Sequence, residues 1–266
     1  MFTIIGERIN MTRKSIRTKV WERDEAFVRN EAARQVKAGA THIDVNAGGD
    51  PSKEIEDMKW LTSIVAEEVD CPLSFDSANP EALRAGLGIC NRDGTIINSL
   101  TMEKERVERV LPLVKEFSTG IICLTMNDDG MPEDYDGRIK ITDDIVALLR
   151  RNEIHIDRAY FDHLVRPAST NPGQVKFILE AIRYTRKTYP DAHISLGLSN
   201  ISFGIPVRNN LNKVFLTMLV EAGCNGAIID PTEKDIMITL YSARAVLGID
   251  EYCMEYLGKM REEGLA

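Results

Sequence analysis

The sequence lacks several features that would direct it to particular classes of protein. Its 266 residues contain no Cys-x-x-Cys pair, and no cysteine stands at metal-ligand spacing from any of the four histidines. A zinc ribbon or zinc finger is thereby excluded. The five cysteines (Cys71, Cys90, Cys123, Cys224 and Cys253) are scattered and odd in number, as small core residues of a reduced, cytoplasmic protein would be. No apolar run approaches the roughly 18 residues of a membrane span. Met1 leads through a short FTII into the charged GER, which does not read as a secretory leader. No Gly-x-Gly-x-x-Gly follows the first strand-like run, which weighs against a doubly wound dinucleotide-binding sheet. No linker, low-complexity stretch or close repeat divides residues 1–266, so a single domain is expected. The net charge of −8 disfavours nucleic acid as a partner.

What is present is regular. Hydrophobic residues make up 44% and charged residues 28%, enough apolar material to close a large core. Short β-branched runs alternate with longer amphipathic stretches about every 30 residues. The strand candidates are residues 2–7, 42–46, 72–77, 94–99, 121–127, 159–164, 193–200 and 227–232. Most are apolar on both parities, as strands covered on both faces should be. Helical patterns fill the gaps at 24–40, 51–69, 79–90, 102–117, 142–151, 172–189, 208–223 and 233–248, with a last one at 249–263. Strands alternating with helices imply parallel pairing through right-handed crossovers. Eight such units in about 250 residues predict a (β/α)8 TIM barrel of the α/β class.

In such a barrel the chemistry sits at the C-terminal ends of the strands. Here those ends, with the turns just after them, carry Glu7 and Asn10, Asp44 and Asn46, Asp76, Asn98, Asn127, Asp162, Ser199 and Asn200, and Asp230. Any one of these would pass as a cap for the next helix. The whole ring is harder to dismiss. A buried carboxylate needs donors. No lysine stands at a strand end, and Arg8 is the one arginine near one, so a ligand rich in N–H groups is the simplest donor. A pterin or guanine edge fits, because its 2-amino group and N3–H offer two parallel donors to one carboxylate. A phosphate would ask for Lys or Arg and backbone N–H groups. A divalent cation is the competing ligand.

Several motifs together carry a resemblance: IIGERIN (4–10), IDVNAG (43–48), SFDS (74–77), INS (97–99), LTMN with a following Gly-Met-Pro (124–132) and LGLSNISFG (196–204). In this order they resemble the methyltetrahydrofolate-dependent, corrinoid-linked methyltransferases. That family shares its pterin-binding barrel with dihydropteroate synthase and with the folate domain of cobalamin-dependent methionine synthase. The likeness runs from residue 4 to about 250.

The resemblance implies that Asp76, Asn98 and Asp162 hold the pterin edge. Asn200 would lie near the methyl-bearing N5, while Gly197 and Ser199 line the pocket and Arg208 approaches the folate. Asp44 would support the pocket, and Asn10 matches the opening motif. It further implies methyltetrahydrofolate and tetrahydrofolate as substrates, a corrinoid carried by a partner protein, and a homodimer. Transfer would be an SN2 displacement in which Co(I) takes the methyl group from N5. N5 must then gain a proton or a strong hydrogen bond. Asn200 can stabilise that site but cannot itself supply the proton, which would arrive through Asp44 or Asp76. Phe203 departs from the family, which can carry glutamine there.

Two alternatives remain at this stage. Dihydropteroate synthase is disfavoured, because its Ser-Arg-Lys-like motif after strand seven is matched here by SNIS (199–202), with Asn200 and no lysine before Lys213, and its Thr-Arg-Pro loop is absent. A non-catalytic folate-binding subunit is the other. His163 follows Asp162, so strand alternation turns it away from the side that carries Asp162. A structural role is expected for it.

Overall fold

The computed structural model describes residues 2–265. Eight parallel strands close into a barrel in chain order. They are β1 (Thr3–Asn10), β2 (His42–Asn46), β3 (Leu73–Asp76), β4 (Ile96–Met102), β5 (Gly120–Asn127), β6 (Ala159–Asp162), β7 (His193–Gly197) and β8 (Gly226–Ile229). The helices are α1 (Lys14–Trp21), α2 (Glu25–Lys37), α3 (Glu54–Glu68), α4 (Pro80–Leu87), α5 (Lys104–Phe117), α6 (Tyr135–Arg151), α7 (Gln174–Thr188), α8 (Arg208–Ala222), α9 (Lys234–Val246) and α10 (Met254–Glu262). The expected (β/α)8 barrel is the observed one.

Several boundaries differ from the sequence reading: β4 runs on to Met102, β6 stops at Asp162 and β8 at Ile229, and four further differences follow. β1 runs to Asn10, so Asn10 ends a strand and does not lie in the loop after it. α1 was not expected; its eight residues carry too few apolar positions to announce a helix, and only Ile16 and Val20 are buried. α6 begins at Tyr135, seven residues before the expected start, behind an Asp134 cap that accepts from the Gly137 N–H. β7 stops at Gly197; Leu198–Ser202 turn into a 3-10 helix with Leu198 and Ile201 buried beneath it.

Most of the core lies between sheet and helices. Phe75, Phe161, Ile43, Leu73, Met58, Leu61 and Leu83 are fully buried there. Each such side chain contributes about 1.5–3 kcal/mol relative to exposure. α4 approaches β3 closely only because residue 86 is glycine: a Cβ there would lie 2.6 Å from the Phe75 ring.

The barrel interior is built differently. Ile5, Ile96 and Ile122 form a small apolar plug with Leu124, Tyr160 and Ile228. Side chains two residues apart on a strand share a face. One step beyond Ile5, Asp44, Ser74, Ile96, Ile122, Tyr160, Ser195 and Ile228 therefore stand Glu7, Asn46, Asp76, Asn98, Leu124, Asp162, Gly197 and Asp230. The inner face changes from mostly apolar to mostly polar in a single layer. The plug closes the floor, and the polar layer faces the mouth.

Candidate active site

The strand register places the polar layer. Asn46 pairs with Asp76, and Asp76 with Asn98, across β2, β3 and β4. Leu124 of β5 pairs with Asp162 of β6. Asp76 and Asn98 line a cavity of about 510 Å³ at this end of the barrel, together with Ser99, Thr101 and Arg106. A second cavity of about 330 Å³ is lined by Glu7, Arg13, Ser199, Arg208 and Asp230.

The carboxylates find more donors within the protein than the sequence suggested. Asn46 Nδ2 donates to Asp76 Oδ2 over 2.7 Å, and Asn46 Oδ1 accepts from the Gly48 N–H at 2.9 Å. Asp44 lies one layer deeper, 2% exposed, and its Oδ1 accepts from Ser74 Oγ at 2.7 Å and Asn98 Nδ2 at 3.4 Å. Arg8, the single cation expected near a strand end, is committed to Glu31 and to Asp230, 2.7 Å away. A ligand is therefore not the only donor the ring requires. Among the described residues, however, no group donates to Asp76 Oδ1. That acceptor is left for whatever enters the mouth.

Burial sets the ionisation of the ring. It raises Asp44 well above the usual carboxylate range, and the neighbouring Asp76 charge adds to the effect. It raises Asp76 too, against the Asn46 hydrogen bond and the Arg106 charge, which lower it. Asp162 is pushed up to about 6 by burial, opposed by the backbone N–H groups of Leu164 and Gly197. Glu7 is also raised by burial, while its ion pair with Arg13 at 2.8 Å pulls the other way.

Three arginines that the sequence reading passed over hold these groups in place. Arg106 of α5 donates to the carbonyls of Ser99, Ala78 and Ser77, fixing the β3 and β4 ends around Asp76. Arg138 of α6 is 1% exposed and donates to the carbonyl of His163. The turn it supports presents the Leu164 N–H to Asp162 Oδ1 at 2.7 Å. Arg13 pairs with Glu7. Each reaches the site from a helix or a loop, where nothing in strand periodicity marks it.

Asn200 lies in the 3-10 turn after β7, not at a strand end, and is exposed. Its carboxamide rests over Gly197: a Cβ on that glycine would come within 3.0 Å of Asn200 Nδ2. Gly197 thus makes room for Asn200 on one side and offers its N–H to Asp162 on the other. Arg208 is the first residue of α8 and hooks back, with Nε 3.0 Å from Ser202 Oγ and a terminal nitrogen 2.6 Å from the Ser199 carbonyl. It ties down the loop that carries Asn200. Asn10 is occupied elsewhere: its Oδ1 accepts from the N–H and hydroxyl of Thr12. It shapes the turn after β1 and lines neither cavity. Asn127 likewise accepts from the Asp129 N–H.

His163 points outward, with Nε2 3.0 Å from the Thr185 hydroxyl of α7. Burial pushes its pKa down to about 3, so the ring stays neutral and apart from the mouth. Among the described residues no group of three or more His, Cys, Asp or Glu side chains is placed to hold a metal ion.

A closed barrel whose mouth presents aligned carboxylates and carboxamides above an apolar floor defines the pterin-binding class of enzymes. Residues 6–230 match the family model described as pterin binding enzyme, and the chain belongs to that family. The chain is 35% identical over 261 residues to a methylcorrinoid:tetrahydrofolate methyltransferase of Eubacterium limosum, covering 97% of this chain and 96% of that protein. It is 30% identical over 244 residues to the methionine synthase of Mycobacterium tuberculosis, covering 85% of this chain and 20% of that longer one. Among solved structures it superposes on the Xanthomonas albilineans dihydropteroate synthase in complex with 7,8-dihydropteroate with a TM-score of 0.69 at 16% identity, over 92% of this chain and 93% of that one. The Coxiella burnetii dihydropteroate synthase in complex with pteroic acid gives 0.63 at 12% identity, over 92% and 94%. At these identities the two synthases show the shared fold alone.

Proposed function

We propose that the protein moves the N5-methyl group between methyltetrahydrofolate and the cobalt of a corrinoid carried by a partner protein. The observation that carries this reading is the disposition of Asp76, Asn98 and Asp162 in one layer, with Asn200 laid over Gly197 beside them. The near full-length identity to a methylcorrinoid:tetrahydrofolate methyltransferase supports it.

In this reading Asp76 Oδ1 and Asp162 accept the pterin N–H donors, and Asn98 adds its free carbonyl. Asp44 lies beneath and holds Asn98 in place. The reduced cobalt of the partner supplies the electron pair that takes the methyl group. The electrons of the broken N–C bond stay on N5, which must carry a proton or a strong hydrogen bond. The Asn200 carboxamide can donate to the N5 lone pair or accept from protonated N5, and the interaction strengthens as charge develops. Asp44 and Asp76, whose carboxyl pKa values burial raises, are the proposed proton reservoir. Gly197 and Ser199 shape the wall, and Arg208 fixes the loop. Asn10 acts only through the turn it holds.

The protein is further proposed to be a cytoplasmic homodimer. All five cysteines are free, and no helix among the described residues is long and apolar enough to cross a membrane. α8 is apolar on two faces. It buries Phe215, Leu216, Leu219 and Val220 in the barrel, yet leaves Leu211, Val214 and Met218 exposed at helical spacing. An exposed apolar stripe on a helix whose opposite face is already buried asks for a partner. Residues 249–263 also expose apolar side chains, Ile249, Tyr252 and Met254 among them, and are a second candidate face.

The competing synthase activity is tested directly. The protein should transfer labelled methyl from methyltetrahydrofolate to cob(I)alamin and should make no dihydropteroate from a pterin pyrophosphate and p-aminobenzoate. The opposite pair of results would replace this reading with the synthase.

A further inference from the structure

Phe203 is the residue that the chemistry above does not use. It follows the turn bearing Asn200, with its N–H 3.2 Å from the Asn200 carbonyl, and is 67% exposed. Four residues on, Val207 is 70% exposed and adopts a φ of +53°. That conformation is rare for a β-branched residue and is maintained against strain. Between them lie Gly204, Ile205 and Pro206.

The loop is held in position. The Arg208 guanidinium sits 5.9 Å from the Phe203 ring centre and is itself hydrogen-bonded to Ser199 and Ser202. The same arginine therefore fixes the backbone that carries Asn200 and props the aromatic ring beside it. An exposed aromatic with restricted freedom, at the rim of a site, is the kind of residue that anchors a protein interface.

We propose that Phe203 and Val207 form the docking contact for the corrinoid-carrying protein. The inference rests on the methyl-transfer reading and goes beyond it. For transfer, the partner must bring cobalt over the mouth, in line with the methyl group near Asn200. The surface framing the corrin must then come down on the rim next to Asn200, where the Phe203–Val207 loop projects. The partner is required to offer an apolar recess beside the corrin edge.

The test compares two methyl acceptors. One is free cob(I)alamin. The other is the corrinoid-protein fraction of the source cells, freed of small molecules and reduced to Co(I). In Phe203→Ser and Val207→Gly the KM for the protein-borne corrinoid should rise about tenfold or more. The KM for methyltetrahydrofolate and the rate with free cob(I)alamin should stay within about twofold of the wild type. Val207→Gly also relieves the positive φ, so its Tm should hold or rise, which separates docking from misfolding.

Equal losses with both acceptors, or a raised KM for methyltetrahydrofolate, would assign Phe203 to the folate and overturn the proposal. So would unchanged kinetics with the protein-borne corrinoid, or a wild type that methylates free cob(I)alamin and no protein-borne corrinoid. A change of molecular mass by light scattering in Phe203→Ser would make the patch a contact between copies of this chain and would also overturn it. A wild type that methylates neither acceptor would instead remove the methyl-transfer reading on which the inference rests.

Discussion

Asn46 and Asp76 stand side by side at the barrel mouth, the carboxamide of one donating to the carboxylate of the other over 2.7 Å. The bond occupies one oxygen of Asp76 and leaves the second to face the cavity. Asn46 touches no folate in the proposed mode, so its effect passes through Asp76. Asn46→Ala should weaken methyltetrahydrofolate binding about tenfold, the worth of one hydrogen bond to a charged group. Titration calorimetry reads this. An unchanged affinity would show that Asp76 needs no such support.

Asp162 supplies a pH dependence with a definite sign. Its carboxyl is pushed up to about 6 in the folded chain, against about 4 when unfolded. Between those values the unfolded state releases a proton that the native state still holds. The contribution of this group to stability is therefore present below pH 4 and lost as pH rises through 6. Asp162→Asn should make the ligand-free protein about 2 to 3 kcal/mol more stable at pH 7. That gain should shrink towards pH 4 in denaturant titrations. Folate affinity should move the other way in the wild type, weakening as pH falls below 6 because the protonated carboxyl loses an acceptor. In Asp162→Asn the affinity should be lower and lack the inflection near 6.

His163 separates structure from chemistry. It is fully buried against Thr185 and neutral, and its backbone carbonyl takes the Arg138 guanidinium. His163→Ala opens a cavity and strands a hydroxyl, which should cost about 2–4 kcal/mol of stability. The methyl-transfer rate per folded molecule, measured well below the new Tm, should stay near that of the wild type. A selective loss of rate with stability intact would instead give His163 a part in the chemistry.

The outer stripe of α8 predicts the oligomeric state. Val214→Glu with Met218→Glu places two charges on the exposed face and disturbs no core contact. Light scattering should show a dimer for the wild type and a monomer for this variant. A wild-type monomer would remove the reason for the stripe.

The barrel was legible in the sequence because its strands are apolar on both parities and recur about every 30 residues. The ring at the mouth was legible because Asp76, Asn98 and Asp162 interrupt those apolar runs. What escaped was whatever reaches the ring from outside it. Arg106 and Arg138 come from helices whose spacing marks them only as charged residues on amphipathic segments. Asn10 and Asn127 look like ring members in the sequence, but each folds back on its own turn two residues later. Asn200 was identified as a candidate but placed on a strand. The chain turns into a 3-10 helix at Leu198 because Leu198 and Ile201 must both be buried.

The most direct measurement follows the cobalt by absorbance. Enzyme, methyltetrahydrofolate and cob(I)alamin are mixed, and the loss of Co(I) is timed against the appearance of methylcobalt. The wild type should convert the corrinoid completely. Asn200→Ala should do so about a hundredfold more slowly, the usual cost of removing one hydrogen-bonding group aimed at a developing charge. A wild type that binds methyltetrahydrofolate yet leaves Co(I) unmethylated would contradict the account and leave a folate-binding barrel without methyl transfer.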